Sequence, residues 1–214
     1  MCNKCSSLLS MPRTVDPDER RQRLADAAAR IIATAGIGGA NLRDVAAEAG
    51  LSTGSLTHYF TDKRELLIFT LQTSLERRRA SHPLVPTDDA LHDLRVLFEG
   101  VLPISDVVRL HWTVTLAFAA QAAADPELAE VQRVAYRRFR RSVVRLIERA
   151  CDEGRLSDGI DAEAMAELAI ALADGIALQS VFDPASWPAH RQRAHLDLAL
   201  GALVTSRPAG RATA

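Results

Sequence analysis

Cysteine is scarce in this 214-residue chain: Cys2, Cys5 and Cys151 are all there are. Three thiols so placed make no disulfide framework, and the expected setting is a reducing cytoplasm. Cys2 and Cys5 form a C-x-x-C without a second ligand pair, so neither a metal nor another cofactor is expected. The 9 prolines and 11 glycines are too few for a low-complexity or collagenous chain. Aromatics reach only 5%, and no apolar run is expected to approach the ~18 residues of a membrane span. The first ten residues lack a long apolar core, which argues against a secretory leader, and Met11 stands as an alternative start. Charge of one sign is missing too, since a net charge of −1 names no partner.

What is abundant is alanine and leucine at helical spacing, in a chain that is 48% hydrophobic and 25% charged. The expected class is all-α. Charge is distributed unevenly. Residues 1–82 hold 12 Lys and Arg against 9 Asp and Glu, and the remainder holds 14 against 18. A mildly basic front on an acidic rear permits nucleic acid at the front.

Residues 1–17 read as a flexible arm. An apolar stripe of Leu24, Ala27, Ala28, Ile31, Ile32 and Ala35 predicts a helix over 18–35, ended by Gly36. Asn41 caps a short helix over 42–48, and Ser52 caps another over 53–59. Gly50 between them occupies a position suited to positive φ. A fourth helix is expected over 63–79, closed off by Pro83 and Pro86. Five more are expected over 88–101, 105–124, 127–153, 162–182 and 189–206, with prolines, glycines and Asp125 at the joints. The domain reading is a three-helix unit over 18–62, a connecting helix over 63–82, a larger helical unit over 83–206, and a disordered tail over 207–214.

The second and third helices are too short to be stable alone. Val45, Ala46, Leu51, Leu56 and Phe60 supply a shared core with the first and fourth. Two short helices joined by a glycine turn on such a platform have the logic of a helix–turn–helix. With Leu56 and Phe60 inward, Thr53, Gly54, Ser55, Thr57, His58 and Tyr59 are left largely outward. Short donors and acceptors on a slim helix suit the major groove of double-stranded DNA. Gly54 allows backbone approach, and Ser55, Thr57 and His58 reach base edges. Thr53, Tyr59 and Lys63 address phosphates, and Arg43 reaches a guanine edge or the backbone.

The segment "NLRDVAAEAGLSTGSLTHYFTDKRELL", Asn41 to Leu67, resembles the DNA-binding segment of the TetR family of bacterial regulators. "GRLSDGIDAEAMAELAIALADGIALQSVFDP", Gly154 to Pro184, is similar to the closing helices of many members. Many members carry a tyrosine after the recognition-helix leucine, where this chain has Thr57. "THYF" looks more like the choline-responsive repressor branch. The resemblance implies a homodimeric repressor that leaves a palindromic operator when a small-molecule effector binds.

It also implies an effector pocket in the rear unit. Phe98, His111, Trp112, Thr115, Phe118 and Phe139 are the candidates for its lining. Two apolar helices near the end of the chain suit a two-fold interface, through Leu168, Leu172, Gly175, Ile176 and Gln179 on one and Leu196, Leu200 and Leu203 on the other. Asp174 is either a pocket carboxylate or an interface hydrogen-bonder, with the second role preferred. Arg137 to Arg141 form a basic solvated face on an amphipathic helix. No H-E-x-x-H, P-loop or G-x-S-x-G occurs, so an enzyme is not expected.

Overall fold

The computed structural model describes residues 16–157 and 159–205 of the chain. Among the described residues the secondary structure is nine helices and no strand. They are α1 (Pro17–Gly39), α2 (Leu42–Glu48), α3 (Thr53–Leu56), α4 (Lys63–Ser81), α5 (Ala90–Glu99), α6 (Asp106–Ala122), α7 (Pro126–Asp152), α8 (Ala162–Phe182) and α9 (Ala189–Thr205). The arm as far as residue 15, the C-x-x-C and the tail over 207–214 lie outside the described residues, as does the side chain of Leu203.

Capping chemistry explains the boundaries. Asp16 accepts from the Asp18 amide with Pro17 at the first helical position, so α1 begins one residue before the expected start. Asn41 accepts from the Asp44 amide at 2.9 Å and Ser52 from the Ser55 amide at 3.1 Å. Asp62 accepts from the Glu65 amide at 2.8 Å and opens α4. Gly36 breaks α1 where the sequence places its end, with φ 68 and ψ 176, and a further turn follows to Gly39. Gly50 turns the chain between α2 and α3 at φ 70, a region L-residues avoid.

The third helix is shorter than the expected 53–59. Beyond Leu56 the amides of His58 and Tyr59 bond to carbonyls three residues back, Ser55 at 3.3 Å and Leu56 at 2.9 Å. The Thr57 hydroxyl donates to the Gly54 carbonyl at 2.9 Å, which competes with a regular ladder. Residues 57–59 therefore form a tightened turn.

Two large apolar clusters hold the molecule together. The first joins α1 to α4 through Leu24, Ile32, Val45, Leu56, Phe60, Leu66 and Leu71 and continues into Val114, Phe118 and Leu128. The second joins α5, α7, α8 and α9 through Phe98, Val143, Ile147, Ala169, Ala173 and Leu196. Helix α6 packs on α1 and α4 as well as on α7 and α8, so it bridges the two.

Helix α8 departs from the expectation about apolar runs. It contains an 18-residue window of mean hydropathy 1.5, of which only 39% is buried within the subunit. One face of this helix, including Ala166, Ala173 and Ala177, is core. The opposite face leaves Leu168, Leu172 and Phe182 exposed.

Candidate functional site

The short polar segment at the front lies on the surface. Thr53, Gly54, Thr57 and His58 are exposed, as is Arg43 on α2. Ser55 and Tyr59 are half-buried. The Ser55 hydroxyl sits 2.9 Å from that of Ser52, and Tyr59 packs against the first apolar cluster. The outward face is thus centred on Thr53, Gly54, Thr57 and His58, flanked by Lys63 at the first position of α4. A Cβ added at Gly54 would meet only the Ser52 hydroxyl, at 3.9 Å, so space opens outward there.

Positioning of this segment depends on residues that motif reasoning passed over. The Arg21 guanidinium from α1 lies over the rings of Phe60 and Phe69, at 5.1 and 4.4 Å, and pairs with Glu65 at 2.8 Å. Glu65 in turn accepts from the amide and hydroxyl of Thr61, bonds that hold its carboxyl below the usual range. This network locks the turn between α3 and α4. Arg64 binds both Asp125 and Glu127, tying the start of α4 to the start of α7. The spacing of 61 residues hides the Arg64–Asp125 pair from sequence inspection.

In the rear a cavity of about 60 Å³ lies between α4, α6, α7 and α8. His111, Trp112, Thr115 and Phe139 line it. Phe98 and Phe118 do not. Both are fully buried, Phe98 edge-on to Phe139 in the second cluster and Phe118 in the first. Phe98 stands on α5, outside the four helices around the cavity, and Phe118 packs into the first cluster with residues of α1 and α4. The lining is completed by Arg78, Gln132 and Tyr136, which the sequence does not single out, and by Asp174, one of whose two expected roles is that of a pocket carboxylate. Only the relative rotation of α4, α7 and α8 brings these together.

Asp174 accepts from the Tyr136 hydroxyl at 2.7 Å within the same subunit. Asp174 also lines this cavity, as the pocket alternative has it. Burial raises its pKa, against the Tyr136 bond and the Arg78 charge. Burial, reinforced by Asp174, also raises Tyr136. His111 is buried, with Nδ1 2.9 Å from the Ser74 hydroxyl and Nε2 3.5 Å from that of Thr115. Burial first, then Arg78 and Arg79, bring its pKa down to about 3, so the ring is neutral at physiological pH. Tyr136 and Asp174 also line a second cavity of about 440 Å³, formed by α7 and α8.

The apolar face near the end of the chain is partly redrawn. Leu168 and Leu172 are 51% and 39% exposed, and Gly175 and Gln179 are exposed beside them. Ile176 and Leu196, at 9% and 1%, belong to the second cluster, against which Leu200 also packs. Among the described side chains of α9 the exposed leucine is Leu198. It stands two residues from Leu196 and so on the other side of the helix. The arginines of α7 pair along the surface, Arg133 and Arg137 with Glu130 and Arg140 with Glu167.

A head with a surface-exposed recognition turn and a helical body with an internal cavity invite comparison with known proteins. Residues 24–68 match the family described as "Bacterial regulatory proteins, tetR family". Residues 90–205 match "BetI-type transcriptional repressor, C-terminal". The chain belongs to the TetR family. As a TetR-family member it is a DNA-binding transcriptional regulator of the repressor type. It is 31% identical over 180 residues to the HTH-type transcriptional regulator PksA of Bacillus subtilis, covering 81% of this chain and 84% of that one. A transcriptional regulator from Rhodococcus sp. Rha1 superposes with a TM-score of 0.75 at 30% identity, over 88% of this chain and 96% of its own. A regulator from Saccharomonospora viridis, solved in complex with choline, gives 0.77 at 25% identity, over 89% and 100%.

Proposed function

We propose that this TetR-family chain is a homodimeric repressor that holds a palindromic operator and releases it when a small molecule enters the cavity between α4, α6, α7 and α8. The exposed polar turn of Thr53, Gly54, Thr57 and His58 beside Lys63 is the observation that carries this reading. In the proposed division, residues 18–62 bind DNA, 63–82 connect, and 83–206 bind effector and partner. One such turn reads few bases. Two, set ~34 Å apart by a dimer, match successive major grooves. The half-buried, strongly apolar α8 supports pairing through Leu168, Leu172 and the flat surface at Gly175, with Leu198 from α9 beside them. A two-fold four-helix arrangement would remove these leucines from water. The His58-Tyr59 pair after Thr57, together with the BetI-type rear, favours the choline-responsive branch as the source of operator preference. The place of action is the cytoplasm, where the DNA lies.

The switch follows from connectivity. Helix α6 lines the cavity at His111, Trp112 and Thr115 and packs on α1 and α4. Helix α4 carries Lys63 at one end and Arg78 about fifteen residues on, a reach of ~22 Å. An effector that favours one position of α4 alters the spacing of the two turns. A coupling of ~1–3 kcal/mol suffices for induction. Selection of bound fragments from a random DNA library, with sedimentation of the free protein, tests the reading. Recovery of palindromes by a dimer supports it. A monomer, or no enriched sequence, refutes it.

A further inference from the structure

Two side chains in the rear cavity present donors that the protein does not satisfy. Gln132 on α7 has a buried Nε2 with no hydrogen-bond partner. Arg78 on α4 makes a single hydrogen bond, 3.4 Å to the Gly100 carbonyl, and no ion pair among the described residues. A guanidinium carries five donors. Burial, with Arg79 close by, brings its pKa down to about 10, so the surroundings disfavour its charge. The cavity's carboxylate, Asp174, accepts from the Tyr136 hydroxyl at Oδ2 and offsets part of the Arg78 charge without forming an ion pair with it, while burial disfavours its own ionisation. His111 is neutral and engaged by Ser74 and Thr115. Buried donors without acceptors are costly, and a ligand that supplies acceptors recovers that cost.

The aromatic wall argues the same way. Trp112 and Phe139 offer apolar faces, but the Arg78 guanidinium already lies 5.9 Å from the centroid of Phe139. A ligand that is only a cation would share this small space with a resident positive charge, and like charges disfavour one another. An anionic group meets Arg78 with attraction instead, and Gln132 adds a second donor.

We propose that the effector carries a carboxylate, received by Arg78 and the Gln132 amide, with its adjoining carbons against Trp112 and Phe139. The remainder of the ligand passes Tyr136 into the larger cavity beyond. This rests on the reading of the cavity as the effector site.

Three probes of similar shape separate the charges: choline, trimethylglycine, in which a carboxylate replaces the hydroxymethyl group, and tert-butylacetate, in which carbon replaces nitrogen. Titration calorimetry with the full chain should show trimethylglycine and tert-butylacetate binding at least about tenfold tighter than choline. Arg78→Gln should weaken both carboxylates by about 10- to 100-fold and should not weaken choline, which loses a repelling charge. Gln132→Leu should weaken them by a smaller factor, and it tests the same contact should Arg78→Gln fail to fold. Choline binding as tightly as the carboxylates, failure of all three to bind at millimolar concentration, or carboxylate binding indifferent to both substitutions overturns the proposal. Arg78-dependent carboxylate binding that leaves operator affinity unchanged keeps the ligand class and removes the cavity's role as the effector site.

Discussion

The Ser74 hydroxyl on α4 and His111 Nδ1 on α6 lie 2.9 Å apart, both buried where the cavity meets the connecting helix. This bond joins the helix that lines the cavity to the helix that begins at Lys63. Burial and the nearby Arg78 and Arg79 charges keep the imidazole neutral there.

A pH dependence of stability follows. His111 has its pKa lowered from 6.5 to about 3 by folding, chiefly through burial. Between those values the unfolded chain binds a proton that the folded chain does not, so stability is full above pH 6.5 and falls as the pH drops toward 3. From about pH 7 to about pH 5 the loss attributable to this group is about 2 kcal/mol. Urea denaturation at the two pH values should show His111→Gln losing less stability than the parent by that amount. Equal losses would remove His111 as the cause.

Gly50 and Gly54 should respond oppositely to alanine. Gly50 has φ 70 and open space where a methyl would stand, so Gly50→Ala costs only backbone conformation, ~1–2 kcal/mol by denaturant melt. Gly54 has ordinary φ and no crowding, so its fold tolerates alanine. Operator affinity, measured by fluorescence anisotropy, should nevertheless fall for Gly54→Ala, because the methyl projects where the DNA backbone approaches.

Lys63→Ala should weaken binding to all sequences alike and reduce the slope of log affinity against log salt by about 1. Thr57→Val and His58→Ala should leave that slope nearly unchanged and instead shift the preferred sequence, read by selection from a random library. A sequence-independent loss in the Thr57 and His58 variants would reassign them to phosphates.

Two leucines in neighbouring helices distinguish interface from core. Leu172→Glu changes an exposed position, so the subunit should stay folded while sedimentation shows monomer and operator affinity drops sharply. Leu196→Ala removes a side chain that is 1% exposed and should cost about 2–5 kcal/mol of stability. A folded, dimeric Leu172→Glu protein would move the interface elsewhere.

Much of the head is legible in the sequence. Asn41 and Ser52 cap through local side-chain-to-amide bonds, and Gly50 turns through its own φ, so each is settled within a few residues. The length of α3 was overestimated because a hydrogen bond from Thr57 to Gly54 competes with the helical ladder without changing the apolar pattern.

The chain's residue order determined that there would be helices, roughly where each begins, and that a polar turn would stand on an apolar platform, because spacing and capping act over short stretches. Tertiary packing alone decided that Phe118 is core while Tyr136 lines a cavity, that Leu196 is inside while Leu198 is outside, and that Arg78, Gln132 and Asp174 face one another. Apolar and amphipathic side chains look alike in a helical repeat. Which of them meets a neighbour and which meets a void depends on how several helices rotate against each other, and that is a property of the whole fold.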